Sequence, residues 1–364
     1  MTCGARALIH LDALKSNFNR IREAANGARI LAVVKADAYG HGLATVATNL
    51  PDADAFAVAR IDEAFQLHAA GVHQPIVLLE GVTDAEEMQD ALQRSFQPVV
   101  HCEQQIELLE KASAGSTTVW LKIDTGMRRL GVEPGHATAL IARLRACRSV
   151  LEIRLMTHLA SADDPDDATT SRQLAAFRES LGGFEGEISV ANSPAIFSPP
   201  DGITASLPPR CTWVRAGVCL YGISPFSDSC GSDLGLRPVM EFVTNLIAVK
   251  PIRAGDHVGY GATWEAPKDT MLGIFAAGYG DGYSRFIPSG TPVLVNGRRA
   301  QLAGRVSMDM AAVDLGPRAS DEVGAPVTLW GAGLPVEEVA ACAGTIPYQL
   351  VCGVTNRTRR LTVN

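Results

Sequence analysis

The stretch Ile30-Leu-Ala-Val-Val-Lys-Ala-Asp-Ala-Tyr-Gly-His-Gly42 joins an apolar run to a lysine and a glycine-rich turn. The run Ile30–Val34 is short, continuous and rich in β-branched residues, which is typical of a strand buried on both faces of a parallel sheet. Gly40 and Gly42 mark a turn that opens the next helix. Lys35 therefore comes directly after a buried strand.

The same alternation of strand and helix continues through the first two thirds of the chain. Strands are predicted at Ile30–Val34, Ala55–Val58, Ile76–Leu79, Pro98–Val100, Val119–Ile123, Ile153–Thr157, Ile188–Val190 and Val214–Val218. Helices are predicted at Ile61–Ala70, Ala85–Gln93, Gln104–Ala112, Ala137–Ala146 and Gln173–Leu181. Eight such units over about 220 residues match the length of a (β/α)₈ barrel. An open doubly wound sheet is the alternative, but the GxGxxG turn expected of it does not follow the first strand.

The pattern changes after Ser227–Gly235, a Ser-, Asp- and Gly-rich stretch that we interpret as a linker. Closely spaced strands are predicted beyond it at Phe242–Val249, Met271–Ala276, Pro292–Val295, Met310–Val313 and Val327–Trp330. We therefore predict an α/β protein in which a barrel domain, residues 1–231, precedes a smaller, mainly β domain, residues 232–364. The first residues of the chain are candidates for pairing with the second domain.

Composition excludes several classes of protein. The 364 residues carry a formal net charge of −7, so no basic surface is available for nucleic acid. We find no pattern typical of a signal peptide or a membrane-spanning helix. The eight cysteines form no CxxC pair, which favours free thiols in a reducing compartment over a disulfide framework. We therefore expect a cytoplasmic protein that needs neither a membrane nor nucleic acid.

Lys35 is the first candidate for chemistry. The C-terminal mouth of a barrel strand is where barrel enzymes place their catalytic groups. A lysine held against apolar walls has a lowered pKa and becomes an amine nucleophile that can form a Schiff base. A solvated lysine just past the end of a strand is the structural alternative.

The stretch around Lys35 resembles the pyridoxal-phosphate (PLP) lysine motif of the alanine racemase family. Eight further segments match the family in order along nearly the whole chain. They are Leu121–Gly131, Thr157–Asp163, Ala191–Ser193, Val214–Gly222, Val258–Thr263, Gly278–Tyr283, Gly304–Asp309 and Ile346–Tyr348. The resemblance implies a PLP-dependent isomerase that interconverts L- and D-alanine and supplies D-alanine for peptidoglycan.

Racemisation requires a proton to leave one face of the α-carbon and another to arrive on the opposite face, so two acid/base groups are expected. In the family these groups are the PLP lysine and a tyrosine, which correspond to Lys35 and Tyr260. An unperturbed phenol titrates near 10. The tyrosine therefore needs a neighbouring donor or cation, and the family residues that supply it match His158 and Arg215.

The resemblance also implies the groups that bind cofactor and substrate. Arg215 matches the family's arginine at the pyridine nitrogen. The other cofactor contacts correspond to Tyr39, Asn192, Ser193, the backbone amides of Gly217 and Val218, and Tyr348. Arg129 and the backbone N–H of Met308 match the groups that hold the substrate carboxylate. Lys122 matches a lysine that can be carbamylated and then orients the arginine.

Structural alternatives stand beside several of these roles. His158 could be an ordinary histidine at a strand end, or a metal ligand together with Asp163 and Asp164. Ser193 could cap a helix before Pro194. Tyr348 could be an ordinary half-buried tyrosine.

Lys35 and Arg129 lie in the predicted barrel, whereas Tyr260 and Met308 lie in the β domain. In the family the β domain of one subunit completes the barrel site of the other, so the resemblance implies a homodimer with two shared sites.

Four positions depart from the family pattern, namely Arg128, Ser193-Pro194, Ser307 and Gln349. They bear on substrate breadth rather than on the type of reaction.

Other functions remain as alternatives. A barrel-type PLP decarboxylase would use the same lysine, but Cys342 and Cys352 lack the adjacent aspartate that its motif requires. A non-catalytic PLP-binding protein would lack the β domain. A barrel hydrolase without PLP would leave the predicted phosphate contacts unexplained.

Overall fold

The computed structural model describes residues 4–199, 203, 208 and 211–364. Within these residues the chain starts with strand β1 (Arg6–His10) and helix α1 (Leu11–Ala24), followed by the barrel. The barrel strands are β2 (Arg29–Val33), β3 (Ala55–Val58), β4 (Ile76–Leu78), β5 (Gln97–Val100), β6 (Thr117–Lys122), β7 (Val150–Met156), β8 (Ile188–Ser189) and β9 (Cys211–Ala216). They are parallel and close in sequence order, because β9 pairs with β2. The predicted (β/α)₈ barrel is therefore confirmed.

Helices alternate with the strands of the barrel. They are α2 (Lys35–Tyr39), α3 (Leu43–Thr48), α4 (Ile61–Ala69), α5 (Ala85–Gln93), α6 (Glu103–Lys111), α7 (Ala137–Ala146), α8 (Thr169–Ser180) and α9 (Ser193–Ile196). In α5 the buried residues Met88, Ala91 and Leu92 recur at helical spacing, so one face of the helix packs on the strands. The predicted bounds of β3, α5 and α7 agree with the structure. The predicted strand Val214–Val218 is wrong at its end, since β9 stops at Ala216 and a 3₁₀ turn, Val218–Tyr221, follows Gly217.

The second unit is built on an eight-stranded sheet. Its strands from the C-terminal part are β10 (Met240–Ile252), β13 (Thr270–Phe275), β14 (Pro292–Val295), β15 (Arg298–Leu302), β16 (Ala311–Gly316), β17 (Pro326–Trp330) and β18 (Arg359–Val363). Strand β13 pairs with both β16 and β10, so six of these strands form a closed ring. The N-terminal β1 lies between β10 and β18. The two ends of the chain therefore meet in one sheet.

Smaller elements complete this unit. The short strands β11 (His257–Val258) and β12 (Trp264–Glu265) form a separate hairpin, and the helices α10 (Val336–Cys342) and α11 (Pro347–Cys352) lie near the C-terminus. Part of the stretch that we interpreted as a linker is ordered as a 3₁₀ turn, Gly231–Leu234. None of the described helices combines the length and the apolar character that crossing a membrane would require.

Candidate active site

A cavity of 780 Å³ opens at the C-terminal mouth of the barrel. Most of the residues singled out in the sequence line it. They are Lys35, Tyr39, Lys122, Arg129, His158, Asn192, Ser193, Arg215, Gly217, Val218 and Tyr348. Tyr260 and Met308 do not line it, and 65% and 52% of their surfaces are exposed. The cavity therefore gathers the barrel residues of the expected site together with Tyr348 from α11, whereas Tyr260 and Met308 lie elsewhere in this chain.

Lys35 is placed by a backbone turn of unusual hand. After β2 the chain enters α2, where φ is positive at four consecutive residues other than glycine, Ala36 to Tyr39, with values between 53° and 55°. The turn is therefore left-handed. This conformation costs about 1–2 kcal/mol per L-residue, because Cβ crowds the following carbonyl. A backbone with such strain persists only where contacts with surrounding residues hold it in place.

Charged side chains from distant parts of the chain hold this turn. Glu63 is buried on α4, and its carboxylate accepts hydrogen bonds from the backbone N–H of Ala36 at 2.6 Å and of Ala59 at 2.7 Å. Arg360 on β18 donates from Nε to the carbonyl of Gly40 at 2.7 Å and lies 3.3 Å from the Asp37 carboxylate. The strand that ends the β domain therefore holds the turn that carries the barrel lysine.

Arg215 lies at the base of the cavity and is 5% exposed. Its Nη1 donates to Ser189 Oγ at 2.7 Å, and its Nη2 donates to the carbonyls of Thr157 and Val190 at 2.7 and 3.0 Å. Burial lowers the pKa of Arg215 to about 10, which leaves it a cation at neutral pH. Within the part of the chain that the structure describes, its contacts involve no carboxylate and leave Nε unused.

His158 is a neutral donor rather than a cation. Burial, followed by the charge of Arg215, lowers the pKa of His158 to about 2. Arg215 Nη2 lies 3.3 Å from His158 Nδ1. Because a guanidinium only donates, Nδ1 accepts, and the neutral ring carries its proton on Nε2. The positive charge of Arg215, transmitted through the imidazole ring, can therefore stabilise a negative charge on a group that is hydrogen-bonded to Nε2.

The alternative in which His158 binds a metal finds no set of further ligands among the described residues. Among the described residues, no group of three or more His, Cys, Asp or Glu side chains comes together in an arrangement that could hold an ion.

Ser193 and Tyr39 meet at Gly217. Ser193 Oγ accepts from the backbone N–H of Gly217 at 3.0 Å. A Cβ added at Gly217 would lie 3.0 Å from Tyr39 Oη and 3.6 Å from Ser193 Oγ, so only glycine leaves this cradle open. Burial raises the pKa of Tyr39 and of Tyr348, so both phenols remain neutral donors. Hydroxyls and amides that converge in this way suit an anion.

Asn192 supports the cradle from one side. It is the N-cap of α9, and its Oδ1 accepts from the backbone N–H of Ala195 at 3.4 Å, while its Nδ2 donates to the carbonyl of Leu159 at 3.3 Å. The alternative in which Ser193 caps this helix is therefore wrong. Asn192 adopts the extended backbone that a cap requires, and Ser193 is the first helical residue.

Lys122 is the last residue of β6 and is 8% exposed. Burial, followed by the neighbouring charges of Arg215, Arg129 and Lys35, lowers the pKa of Lys122 to about 8. A measurable fraction of this amine is therefore uncharged at neutral pH. Four cationic side chains share the cavity, which suits a ligand that carries more than one negative group.

Tyr260 and Met308 belong to an exposed face of the β domain, which we call the aromatic face. Its other large side chains are Tyr279, Phe286 and Met310. Arg285 lies over the rings of Tyr260 and Tyr279, at 5.8 and 6.0 Å from their centroids. Sequence reasoning did not single out Arg285 or Phe286, although three aromatic residues within Tyr279–Phe286 were a visible signal. Apolar side chains exposed together are typical of an interaction surface.

Fold and cavity together define a class, a (β/α)₈-barrel protein with a lysine at the C-terminal mouth of the barrel and an appended β domain. Residues 9–225 match the sequence model of the alanine racemase N-terminal domain, and residues 239–362 match that of the C-terminal domain. A protein of Escherichia coli K12 named biosynthetic alanine racemase is 48% identical over 97% of both chains.

Solved structures agree with the sequence matches. The crystal structure of biosynthetic alanine racemase from Pseudomonas aeruginosa covers 100% of both chains, with a TM-score of 0.94 and 42% identity. That of alanine racemase from Acinetobacter baumannii also covers 100% of both chains, with a TM-score of 0.92 and 36% identity. The chain therefore belongs to the alanine racemase family and is an isomerase.

Proposed function

We propose that this protein uses PLP to interconvert L- and D-alanine by a two-base mechanism, with Lys35 of one subunit and Tyr260 of the partner subunit as the bases. The observation that carries the proposal is the cavity at the barrel mouth, where Lys35 lies with Arg215 and the Gly217 cradle. Family membership supports the substrate, since the relatives are named alanine racemases. The name "biosynthetic" favours a role in supplying D-alanine for peptidoglycan.

The residues present fit PLP. Lys35 provides the amine for a Schiff base, and the cradle at Gly217 provides neutral donors for the phosphate from Tyr39 and Ser193, with Tyr348 packed against Tyr39 as a further donor. The Val218 amide, at the start of its 3₁₀ turn, is a further donor. Arg215 offers Nε to the pyridine nitrogen and is too basic to give up a proton there. Asn192 acts by holding α9 in place.

When bound, PLP would supply an electron sink for the charge left at the α-carbon. Lys35 Nζ takes the α-proton from one face or returns it. Tyr260 Oη of the partner subunit does the same from the other face. His158 donates from Nε2 to that phenolate, and Arg215 behind it provides the positive charge. Since phenols ordinarily titrate near 10, this support lets the tyrosine act as a base at neutral pH.

Arg129 and the backbone N–H of Met308 of the partner subunit would hold the substrate carboxylate. We propose that Lys122 is carbamylated and orients Arg129. The uncharged amine adds to CO₂, an N–C bond forms while one C=O π bond of CO₂ opens, and one N–H proton passes to water. The lowered pKa of Lys122 supports this step, because only the uncharged amine reacts. The product is an anion among three cations, which favours it over the ammonium form.

The exposure of Tyr260 and Met308, which one chain leaves outside its own cavity, supports the proposal of a homodimer with shared sites. We propose that residues 1–231 form the PLP-binding unit and that residues 232–364, joined by β1, form the unit that completes the partner's site. We also propose a cytoplasmic location, since every described cysteine is a free thiol.

Isotope exchange tests the proposal. The protein is incubated with L-alanine in D₂O, and we expect the α-proton to exchange and optical activity to be lost, with no CO₂ or keto acid released. Borohydride treatment should fix PLP on Lys35. Release of CO₂ would indicate a decarboxylase instead. PLP bound without exchange would indicate a non-catalytic PLP-binding protein, and label on another lysine would refute the assignment.

A further inference from the structure

The left-handed turn links two of the proposed cofactor contacts. Lys35 begins it, and Tyr39 ends it. A bound PLP would be held at one end through the lysine amine and at the other through the tyrosine hydroxyl. The shape of the turn therefore sets the distance between the two groups.

His41 holds the C-terminal end of the turn from inside the protein. It is 1% exposed, and its Nδ1 lies 3.0 Å from the carbonyl of Ala38 and 2.9 Å from that of Tyr39. Since carbonyls only accept, Nδ1 carries the proton and donates. A left-handed turn presents these two carbonyls side by side to one donor.

Tyr221 reaches both ends of the turn. Its hydroxyl donates to the carbonyl of Val33 at 3.0 Å, two residues before Lys35. Its ring lies between those of Tyr39 and His41, at centroid distances of 4.9 and 4.5 Å and interplanar angles of 28° and 29°. The stack fixes the plane of the Tyr39 ring, and the hydrogen bond fixes the end of β2.

We propose that His41 and Tyr221 are positioning residues that keep the turn Lys35–Tyr39 in its strained shape, so that the amine and the hydroxyl engage one PLP molecule together. The inference rests on the proposed function. Neither side chain is among those that line the cavity. They therefore act on the cofactor only through the turn.

A freed turn would relax toward ordinary backbone angles, because its left-handed residues are not glycine. PLP, which uses both ends, would then bind only the fraction of molecules that keep the native shape. Pyridoxal lacks the phosphate, so of the two ends of the turn it uses only Lys35. Pyridoxamine 5′-phosphate lacks the aldehyde, so of the two ends it uses only Tyr39. These two probes do not require the spacing between the ends.

The test measures the Kd of each of the three compounds for the full-length protein freed of cofactor. His41→Phe keeps a ring in the stack and removes the N–H. If the freed turn keeps its native shape about a tenth of the time, the Kd for PLP rises about tenfold and the other two Kd values stay within about threefold. Tyr221→Phe loses one hydrogen bond and should raise the Kd for PLP about fivefold.

His41→Asn retains a donor near the position of Nδ1 and should restore most of the PLP affinity. Tyr283→Phe is the matched control, since Tyr283 is also fully buried but belongs to the β domain and has no contact with the turn. It should leave all three Kd values unchanged. A melting temperature measured for each variant separates local loosening from loss of the fold.

The inference is overturned if PLP affinity is unchanged in both variants, or if all three compounds lose affinity by the same factor. Failure of the proposed function looks different, since the wild-type protein would then either not bind PLP through Lys35 or bind it without exchanging the α-proton of alanine.

Discussion

The two halves of the candidate site differ in how far one chain completes them. In the barrel half, Arg215 is 5% exposed and hydrogen-bonded to three neighbours, and it fixes the tautomer of His158. In the β-domain half, Tyr260 and Met308 lie on the aromatic face in contact with solvent. Folding of the chain alone thus positions the groups that we propose to hold the cofactor. Under the proposed dimer, association positions the second base.

The halves also differ in charge. The barrel half concentrates Lys35, Lys122, Arg129 and Arg215 around one cavity. Burial, followed by the neighbouring positive charges, lowers the pKa of His158 and of Lys122, which keeps the first neutral and leaves part of the second uncharged. The aromatic face carries Arg285 over two tyrosine rings instead. The barrel half is therefore suited to bind anions, and the aromatic face is suited to contact another protein surface.

The largest effect is expected from the barrel half, on replacing Lys35. Lys35→Ala removes both the Schiff-base amine and one base, so racemisation should fall by about 10⁴-fold or more. The exposed Lys15→Ala on α1 is the control and should keep wild-type activity. Racemase assays of both variants check this. Substantial activity in Lys35→Ala would remove the lysine from the mechanism.

Tyr260→Phe tests the β-domain half. Loss of one acid/base group should lower racemisation by about 10²- to 10⁴-fold, while the Kd for PLP stays unchanged because Tyr260 is not among the residues that line the cavity of its own chain. Exchange of the α-proton in D₂O should fall unequally for L- and D-alanine, since the two faces lose different groups. If PLP binding and activity fall together, Tyr260 is structural.

Burial in the barrel half predicts a dependence of stability on pH. The pKa of His158 and of His41 is lowered in the folded protein to about 2 and about 4, so below pH 6.5 the unfolded chain binds protons that the folded chain does not. The stability contributed by each neutral histidine is complete above pH 6.5. It falls by about 1.4 kcal/mol per pH unit as the pH drops toward 4.

Chemical unfolding of the cofactor-free protein at several pH values measures this slope. His158→Asn should reduce the slope of the unfolding free energy against pH by the contribution of one proton, about 1.4 kcal/mol per pH unit. Replacement of the exposed His73 by Asn should leave the slope unchanged. Equal slopes for the wild-type protein and His158→Asn would mean that His158 is protonated in the folded state.

The smallest effect concerns Lys122. If its carbamate orients Arg129, removing CO₂ from the buffer should raise KM for alanine about tenfold, which is the loss of one charge-assisted hydrogen bond. Bicarbonate should restore it. Lys122→Gln should show the same KM with and without CO₂. If the KM of the wild-type protein is the same with and without CO₂, Lys122 is not carbamylated in the active protein.

Local sequence patterns were sufficient to predict the barrel. Buried strands such as Ala55–Val58 are recognised as short, continuous apolar runs. Amphipathic helices such as Ala85–Gln93 are recognised by the spacing of their apolar residues. The predicted bounds of both elements therefore agree with the structure. The same signal was available for α1, where Leu11, Leu14, Phe18 and Ile21 recur at helical spacing and are buried. That helix was missed although its pattern was present.

Other features had no local signal. None of the four residues Ala36–Tyr39 is glycine, so the local sequence gives little indication of a left-handed backbone. Two of the groups that hold the turn are distant in sequence, Glu63, 27 residues after Ala36, and Arg360, 320 residues after Gly40. The pairing of β1 with β18 likewise joins opposite ends of the chain. Such long-range contacts cannot be inferred from periodicity.

Shared sites can be tested by combining two inactive chains in one dimer. Lys35→Ala and Tyr260→Phe chains, each with its own affinity tag, are co-expressed, and the heterodimer is purified through both tags. One of its two sites then joins an intact Lys35 to an intact Tyr260, so we expect about half of wild-type racemase activity. If the heterodimer is as inactive as either parent, both bases belong to one chain and the shared-site account is wrong.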